Sequence, residues 1–261
     1  MTQRTLLRLF GPDARDFLQG LITNDIAKTD QGLVYAALLT PQGKYIADFF
    51  VAAHEDGYLV DVASSHAPTL AQRLSMYRLR AKVDIEESTL QVSRGTGPAP
   101  SGAMADPRHT ALGWRAFRAS QTEDSTDWDT LRVAHLIPET GVELTPDTYI
   151  LEAGFERLNG VDFRKGCYVG QEIAARMKHK TELKKGLVQL TITGTAPVGT
   201  EITANGKSVG TLYTQSDGLA LAHVRYDRAT GQMQAETATL RAVPPSSDPK
   251  TPAGGAANTQ S

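Results

Sequence analysis

The sequence is poor in the features that would assign a class at once. It holds one cysteine, Cys167, in 261 residues, so no disulfide can form within the chain and a disulfide-stapled secreted domain is excluded. No apolar run approaches the ~20 residues a membrane-spanning helix needs, so no membrane partner is expected. The opening, Met1 to Phe10, carries Arg4 and Arg8 but no apolar segment of the secretory kind. Charge of one sign is missing too. With 27 basic and 29 acidic side chains the formal net charge is -2, and no whole-molecule field favours nucleic acid. Aromatic residues do not alternate with basic ones as a base-stacking platform requires. The six histidines show no ligand spacing, and one cysteine cannot hold a cluster alone, so no metal site is expected. These absences leave a cytoplasmic globular protein as the expectation.

What is present reads as α+β. Ala14, Phe17, Leu18 and Leu21 recur at helical spacing after Gly11-Pro12-Asp13. Residues 33–40, 44–53 and 58–63 read as strands, with Pro41-Gln42-Gly43 as a turn between the first two. A helix follows Pro68 through Leu70, Leu74 and Tyr77. The period then changes to two, with Leu79, Ala81, Val83 and Ile85 on one face of a strand. Residues 95–102 are rich in Gly, Pro and Ser and read as a linker. Five short strands are expected at 187–193, 201–204, 208–214, 219–224 and 236–243, with Asn205-Gly206 as a hairpin turn. Such strands at close spacing suggest a small barrel or sandwich. From Pro244 onward no apolar period remains, and a disordered tail is expected.

The most distinctive segment runs from Phe163 to Lys185. A helix is expected to begin near Gly170, with Ile173, Ala174 and Met177 on one face. Cys167 then precedes a helix N-terminus, with Arg164, Lys165 and Arg176 nearby. Unpaired N–H groups and basic neighbours are the setting that activates a thiol. If residues 165–167 are extended, Lys165 and Cys167 share one face. Gly166 and Gly170 permit unusual backbone angles or close approach of a ligand. The same residues also fit an inert, buried thiol at a strand-to-helix corner. The basic run Arg176, Lys178, Lys180, Lys184 and Lys185 is either a solvated face or a surface for an anionic ligand.

The stretch Lys165-Gly166-Cys167-Tyr168-Val169-Gly170-Gln171-Glu172 resembles the K-G-C-Y-x-G-Q-E signature of the YgfZ family. Gly11-Pro12-Asp13-Ala14, Thr23-Asn24-Asp25, Pro41-Gln42-Gly43-Lys44, Tyr77-Arg78-Leu79-Arg80 with Lys82-Val83, Asp106-Pro107-Arg108, and Gly218-Leu219-Ala220-Leu221 agree with it in order. The resemblance implies an α+β, aminomethyltransferase-like folate-binding fold around a central cavity. Residues 1–185 form its folate-binding region, subdivided near 95–102 if the linker separates domains. Residues 186–243 form a C-terminal β-barrel, and 244–261 the tail. It implies a tetrahydrofolate-binding accessory protein that supports assembly or repair of iron–sulfur enzymes. Reduced folate, with or without a polyglutamate tail, and iron–sulfur client or assembly proteins are the implied partners. Cys167 and Lys165 are the implied residues of any chemical step. Asp48, Glu152, Gly166, Tyr168, Gly170, Gln171, Glu172 and Arg176 are the implied folate contacts.

The alternative is a folate-dependent aminomethyltransferase of the glycine cleavage type. That enzyme resembles this chain around residues 43–51 but carries two adjacent acids, where this chain has Ala47-Asp48. Strand alternation turns Asp48 away from the face of Ala47. The missing carboxylate weakens the case for aminomethyl transfer.

Overall fold

The computed structural model describes residues 3–122, 124–180 and 182–243. The tail expected from 244 lies outside the described residues. Four α-helices are found among them: α1 (Ala14–Gln19), α2 (Ala67–Arg78), α3 (Trp128–Ala134) and α4 (Gln171–Lys180). None is long and apolar enough to cross a membrane. The chain divides into two compact units, one built from 3–122, 124–126, 145–151 and 155–180, the other from 127–144, 152–154 and 182–243.

The first unit is built on a five-stranded antiparallel sheet. Its strands β1 (Arg4–Phe10), β2 (Val34–Leu39), β3 (Tyr45–His54), β4 (Gly57–Ala63) and β5 (Asp84–Glu87) lie in the order β2-β3-β4-β1-β5. Every residue of β2 is buried, because both sheet faces are covered. One face carries Leu9, Leu38, Ala47, Phe49 and Val62 against Leu18 of α1 and Leu70 and Leu74 of α2. Each large side chain there contributes about 1.5–3 kcal/mol on burial. The register aligns Tyr35 with Phe50, Phe50 with Asp61, and Asp61 with Leu6, so Tyr35, Phe50 and Asp61 share the opposite face. A smaller sheet of β6 (Gln91–Gly95), β7 (Met104–Ala105) and β8 (Trp114–Arg118), ordered β6-β8-β7, completes the unit. The Gly- and Pro-rich residues 96–103 join β6 to β7.

Strand β5 begins later than the alternation predicts. Phe10, the last residue of β1, pairs with Asp84, so residues 79–83 have no strand to pair with. The Lys82 N–H instead donates to the Asp13 carboxylate at 2.7 Å. Leu79, expected on a buried strand face, is the exposed cap of α2 at φ 41.

The second unit is a closed barrel with α3 beside it. Strands β9 (Lys185–Thr193), β10 (Glu201–Ala204), β11 (Lys207–Ser216), β12 (Leu219–Arg225), β13 (Gln232–Ala235) and β14 (Ala238–Ala242) run in the order β10-β11-β12-β9-β14-β13. The pair Thr203 and Gln234 closes the ring. Ile202, Leu212, Met233 and Leu240 fill it. Asn205 and Gly206 both take positive φ, 51 and 72, as a two-residue hairpin of mirror-image type requires. The barrel has six strands rather than five, because residues 232–242 form a hairpin turning at Glu236, φ 50.

Candidate functional site

The signature segment is held by the opening motif. Asn24 Nδ2 donates to the carbonyl oxygens of Tyr35 at 2.8 Å and Asn159 at 2.7 Å. Thr23 Oγ1 donates to the Gly160 carbonyl at 2.7 Å and accepts from the Ala37 N–H at 2.8 Å. The Asp162 N–H donates to the Thr23 carbonyl at 3.0 Å. Residues 159–162 are thereby stitched to the edge strand β2. Nothing in the residue types of Thr23 and Asn24 signalled this role; only their place in the family motif singled them out.

From that anchor the chain turns at Phe163-Arg164 and bends at Lys165, so the extended condition for a face shared by Lys165 and Cys167 does not hold at Lys165. Lys165 and Tyr168 are buried, while Gly166 and Cys167 are exposed. Lys165 Nζ donates to the carbonyl oxygens of Gln19 and Ile22, both at 2.6 Å. Burial pulls the ammonium down to about 8, partly opposed by Asp25 and Asp162. Its cation lies 5.0 Å from the Tyr168 ring centre. Burial pushes the Tyr168 hydroxyl up to about 12, and that hydroxyl, fully buried, has no hydrogen-bond partner among the described residues. A buried polar atom of this kind calls for a ligand or a water.

The loop then meets the turn at 40–44. A side chain at Gly170, φ 83, would place its Cβ 2.6 Å from the Thr40 carbonyl oxygen. One at Gly43, φ 74, would lie 2.7 Å from Ile173 Cβ. The two glycines let the first turn of α4 rest on the Pro41-Gln42-Gly43 turn. Gly166 has neither constraint: no atom lies within 4 Å of its would-be Cβ, and its φ is not positive. Gln171 opens α4, its N–H donating to the Tyr168 carbonyl at 3.2 Å. Glu172 and Arg176 are exposed one turn apart on α4, where they line a shallow groove with Ala175, His179 and Lys180. Lys178 is paired with Glu156 at 2.5 Å.

Asp48 lies on the other covered face of the large sheet, 3% exposed, away from Ala47 in the helix-facing core. Its oxygens accept from Tyr45 Oη at 2.7 Å and Tyr35 Oη at 3.0 Å. Burial first, and then the Asp48 charge, raise the Tyr35 phenol well above its ordinary value. Phe155 stacks on Tyr35 at 5.1 Å. The faces of Tyr35, Phe50 and Phe155 are closed by packing, so this cluster is a wall and not an open stacking platform.

Behind that wall runs a chain of buried charges absent from the sequence expectations. Arg108 chelates Asp106 through Nε at 3.0 Å and Nη2 at 2.9 Å. Arg115 bridges Asp106 at 3.1 Å and Asp61 at 2.8 Å, and Arg4 reaches Asp61 at 2.6 Å. The guanidinium carbons of Arg115, Arg108 and Arg4 lie 3.9, 4.8 and 5.7 Å from the Phe50 ring centre. Burial opposes ionisation of Asp106, but Arg108 and Arg115 overcome it and hold the carboxyl well below the usual range. No sequence signal finds such pairs, because their members are up to 57 residues apart.

Glu152 belongs to the second unit. Its carboxylate faces His223 Nε2 at 3.3 Å and Lys185 Nζ at 3.6 Å, and its carbonyl accepts from the Leu187 N–H at 2.7 Å. Among the described residues no three His, Cys, Asp or Glu side chains converge as a metal set.

Comparison with known proteins agrees with this layout. Residues 1–107 match the GCVT N-terminal domain, and residues 184–250 match the CAF17 C-terminal beta-barrel domain. The human mitochondrial iron–sulfur cluster assembly factor IBA57 is 29% identical, over 88% of this chain and 78% of that protein. The IBA57 homolog of Neurospora crassa is 34% identical, over 79% of this chain and 56% of that one. The chain belongs to the YgfZ/IBA57-related family. A solved family-like fold is that of glycine cleavage system aminomethyltransferase T from Bartonella henselae, with a TM-score of 0.72 over 91% of this chain and 82% of that one. At 14% identity this likeness shows the fold alone, an aminomethyltransferase-like α+β fold with the C-terminal barrel. The IBA57 relatives also correct the cytoplasmic location expected above, since they are mitochondrial by name. One cysteine and no long apolar run fit any reducing aqueous compartment, so composition never singled out the cytoplasm.

Proposed function

We propose that this YgfZ/IBA57-related protein binds a reduced folate and supports assembly or repair of iron–sulfur enzymes, with Cys167 as its working thiol. The observation that carries the reading is the mounting of Cys167. It is exposed on a loop pinned on both sides by buried residues, Lys165 and Tyr168. The Gly43–Gly170 contact fixes the helix that follows. A thiol that served only packing would be buried. The relatives are iron–sulfur cluster assembly factors by name, which gives the exposed thiol a class of client.

The folate part of the reading rests on donor chemistry. The unpartnered Tyr168 hydroxyl can bond a pterin or glutamate group. Asp48, which accepts from the phenols of Tyr35 and Tyr45, is the carboxylate we propose to face pterin N–H groups. Arg176, exposed on α4, suits the anionic tail of the folate, and more so a polyglutamylated one. Glu152, in the second unit, is tested separately by substitution to Ala. Aminomethyl transfer is disfavoured, because Ala47 is packed in the core where the second acid would stand. Tetrahydrofolate titration, followed by the fluorescence of Trp114 and Trp128, tests the proposal. Saturable binding weakened by Asp48→Asn and Tyr168→Phe is expected. No binding by the wild type would reject the folate assignment, and turnover with a lipoyl carrier protein would favour the transferase.

A further inference from the structure

The end of α2 carries a leucine that folding does not account for. Leu79 is 90% exposed, and its backbone stands at φ 41, ψ -99, a conformation that suits glycine and strains a residue with a bulky side chain. A glycine would make the same turn without strain, and the leucine side chain adds nothing to the core. Met76, one turn back on the same helix, is 60% exposed. The opposite face of α2 is already satisfied, with Leu70 and Leu74 buried. The charged residues from Arg73 to Lys82 are all basic, and the acids beside them are Asp84, paired with Arg78, and Asp13, which accepts from the Lys82 N–H. Arg78 is held at home by the Val83 carbonyl at 3.1 Å and Asp84 at 3.8 Å. The side chains of Arg73, Arg80 and Lys82 are exposed and have no ion pair among the described residues.

We infer that this end of α2 is a docking surface for a second protein whose face offers an apolar socket rimmed by carboxylates. Leu79 and Met76 are the apolar centre, and Arg73, Arg80 and Lys82 are the rim. The arrangement has the anatomy of an interface, with an apolar core and long cations that exclude water around it. Charge complementarity sets the partner's chemistry: three unpaired cations around an apolar centre select carboxylates and repel a basic surface. Two side chains are too little apolar area for a helix that lies in a lipid surface. No aromatic platform accompanies them for a nucleic acid.

The test places a photo-crosslinking amino acid at Gln72, exposed on the same helix face, in the full chain in its own cells. The expected result is a covalent adduct with one protein, identified by mass spectrometry and cross-linked through an acidic surface. Leu79→Gly and Arg80→Glu should each lower its yield roughly ten-fold, while Leu79→Gly leaves the melting temperature unchanged or higher. Cys167→Ser should keep the adduct, which separates this surface from the thiol's role. An adduct of unchanged yield in both variants, no adduct at all, an adduct only with a second copy, or binding of the purified chain to anionic phosphatidylserine vesicles would overturn the inference.

Discussion

The Lys165 ammonium stands 2.6 Å from the carbonyl oxygen of Ile22, 143 residues away in sequence, and equally close to that of Gln19. This contact pins the signature loop to the end of α1 and turns the next two residues, Gly166 and Cys167, into solvent. We propose that Lys165 positions the loop through these two bonds. Lys165→Met should take the donor from the buried Ile22 carbonyl and the part-buried Gln19 carbonyl and lower stability by about 1–3 kcal/mol.

The same lysine predicts a pH dependence. Its folded value, about 8, lies below the ordinary 10.5. Between those values the unfolded chain holds the proton more tightly, so this group makes stability rise with pH across that window. Urea unfolding across the window should show the rise in the wild type and lose it in Lys165→Met. Equal slopes in both proteins would reject the assignment.

The buried charges behind Phe50 predict acid sensitivity. Asp106 is depressed in the folded protein, so its contribution is present above the unfolded value of 3.8 and is lost as pH falls below it. Asp106→Asn removes the carboxylate that Arg108 chelates and one of the two that Arg115 bridges, leaving Arg115 with Asp61. A loss of about 3–5 kcal/mol is expected in denaturant unfolding.

Tyr168→Phe separates a ligand group from a structural one. The hydroxyl has no hydrogen-bond partner to lose among the described residues, so stability should be unchanged or higher by about 1 kcal/mol. Tetrahydrofolate affinity should fall. Unchanged affinity would remove Tyr168 from the folate contacts.

The two signature glycines make a paired prediction. Gly170→Ala meets both a positive φ and the Thr40 carbonyl, and should cost about 1–3 kcal/mol. Gly166→Ala meets nothing and should leave the melting temperature unchanged. Loss of function in Gly166→Ala would then report the close approach of a ligand or client at Cys167.

The sequence carried the elements with strong local signals. Hydrophobic period placed β2, β3, β4 and α2 within a residue or two, and Asn205-Gly206 marked its hairpin. The sixth barrel strand was hidden because its turn, at Glu236, uses neither glycine nor asparagine. Leu79 misled because alternation continues past the point where its pairing partner ends. Spacing in sequence puts Lys165 and Cys167 on one face only if the segment is extended, and it does not report the bend at Lys165. The ion pairs of Arg4, Arg108 and Arg115 are long-range and leave no periodic trace. Family motifs located the signature loop, but only the fold shows that Thr23 and Asn24 hold it.

The measurement closest to the central claim is complementation by Cys167→Ser, a change of one atom at an exposed position. In a strain lacking the protein, several iron–sulfur enzymes are assayed beside an enzyme that needs no cluster. The account predicts that Cys167→Ser folds with wild-type stability and binds tetrahydrofolate normally. It also predicts that this variant fails to restore the iron–sulfur activities, while the control enzyme is unaffected. Full restoration by Cys167→Ser would contradict it.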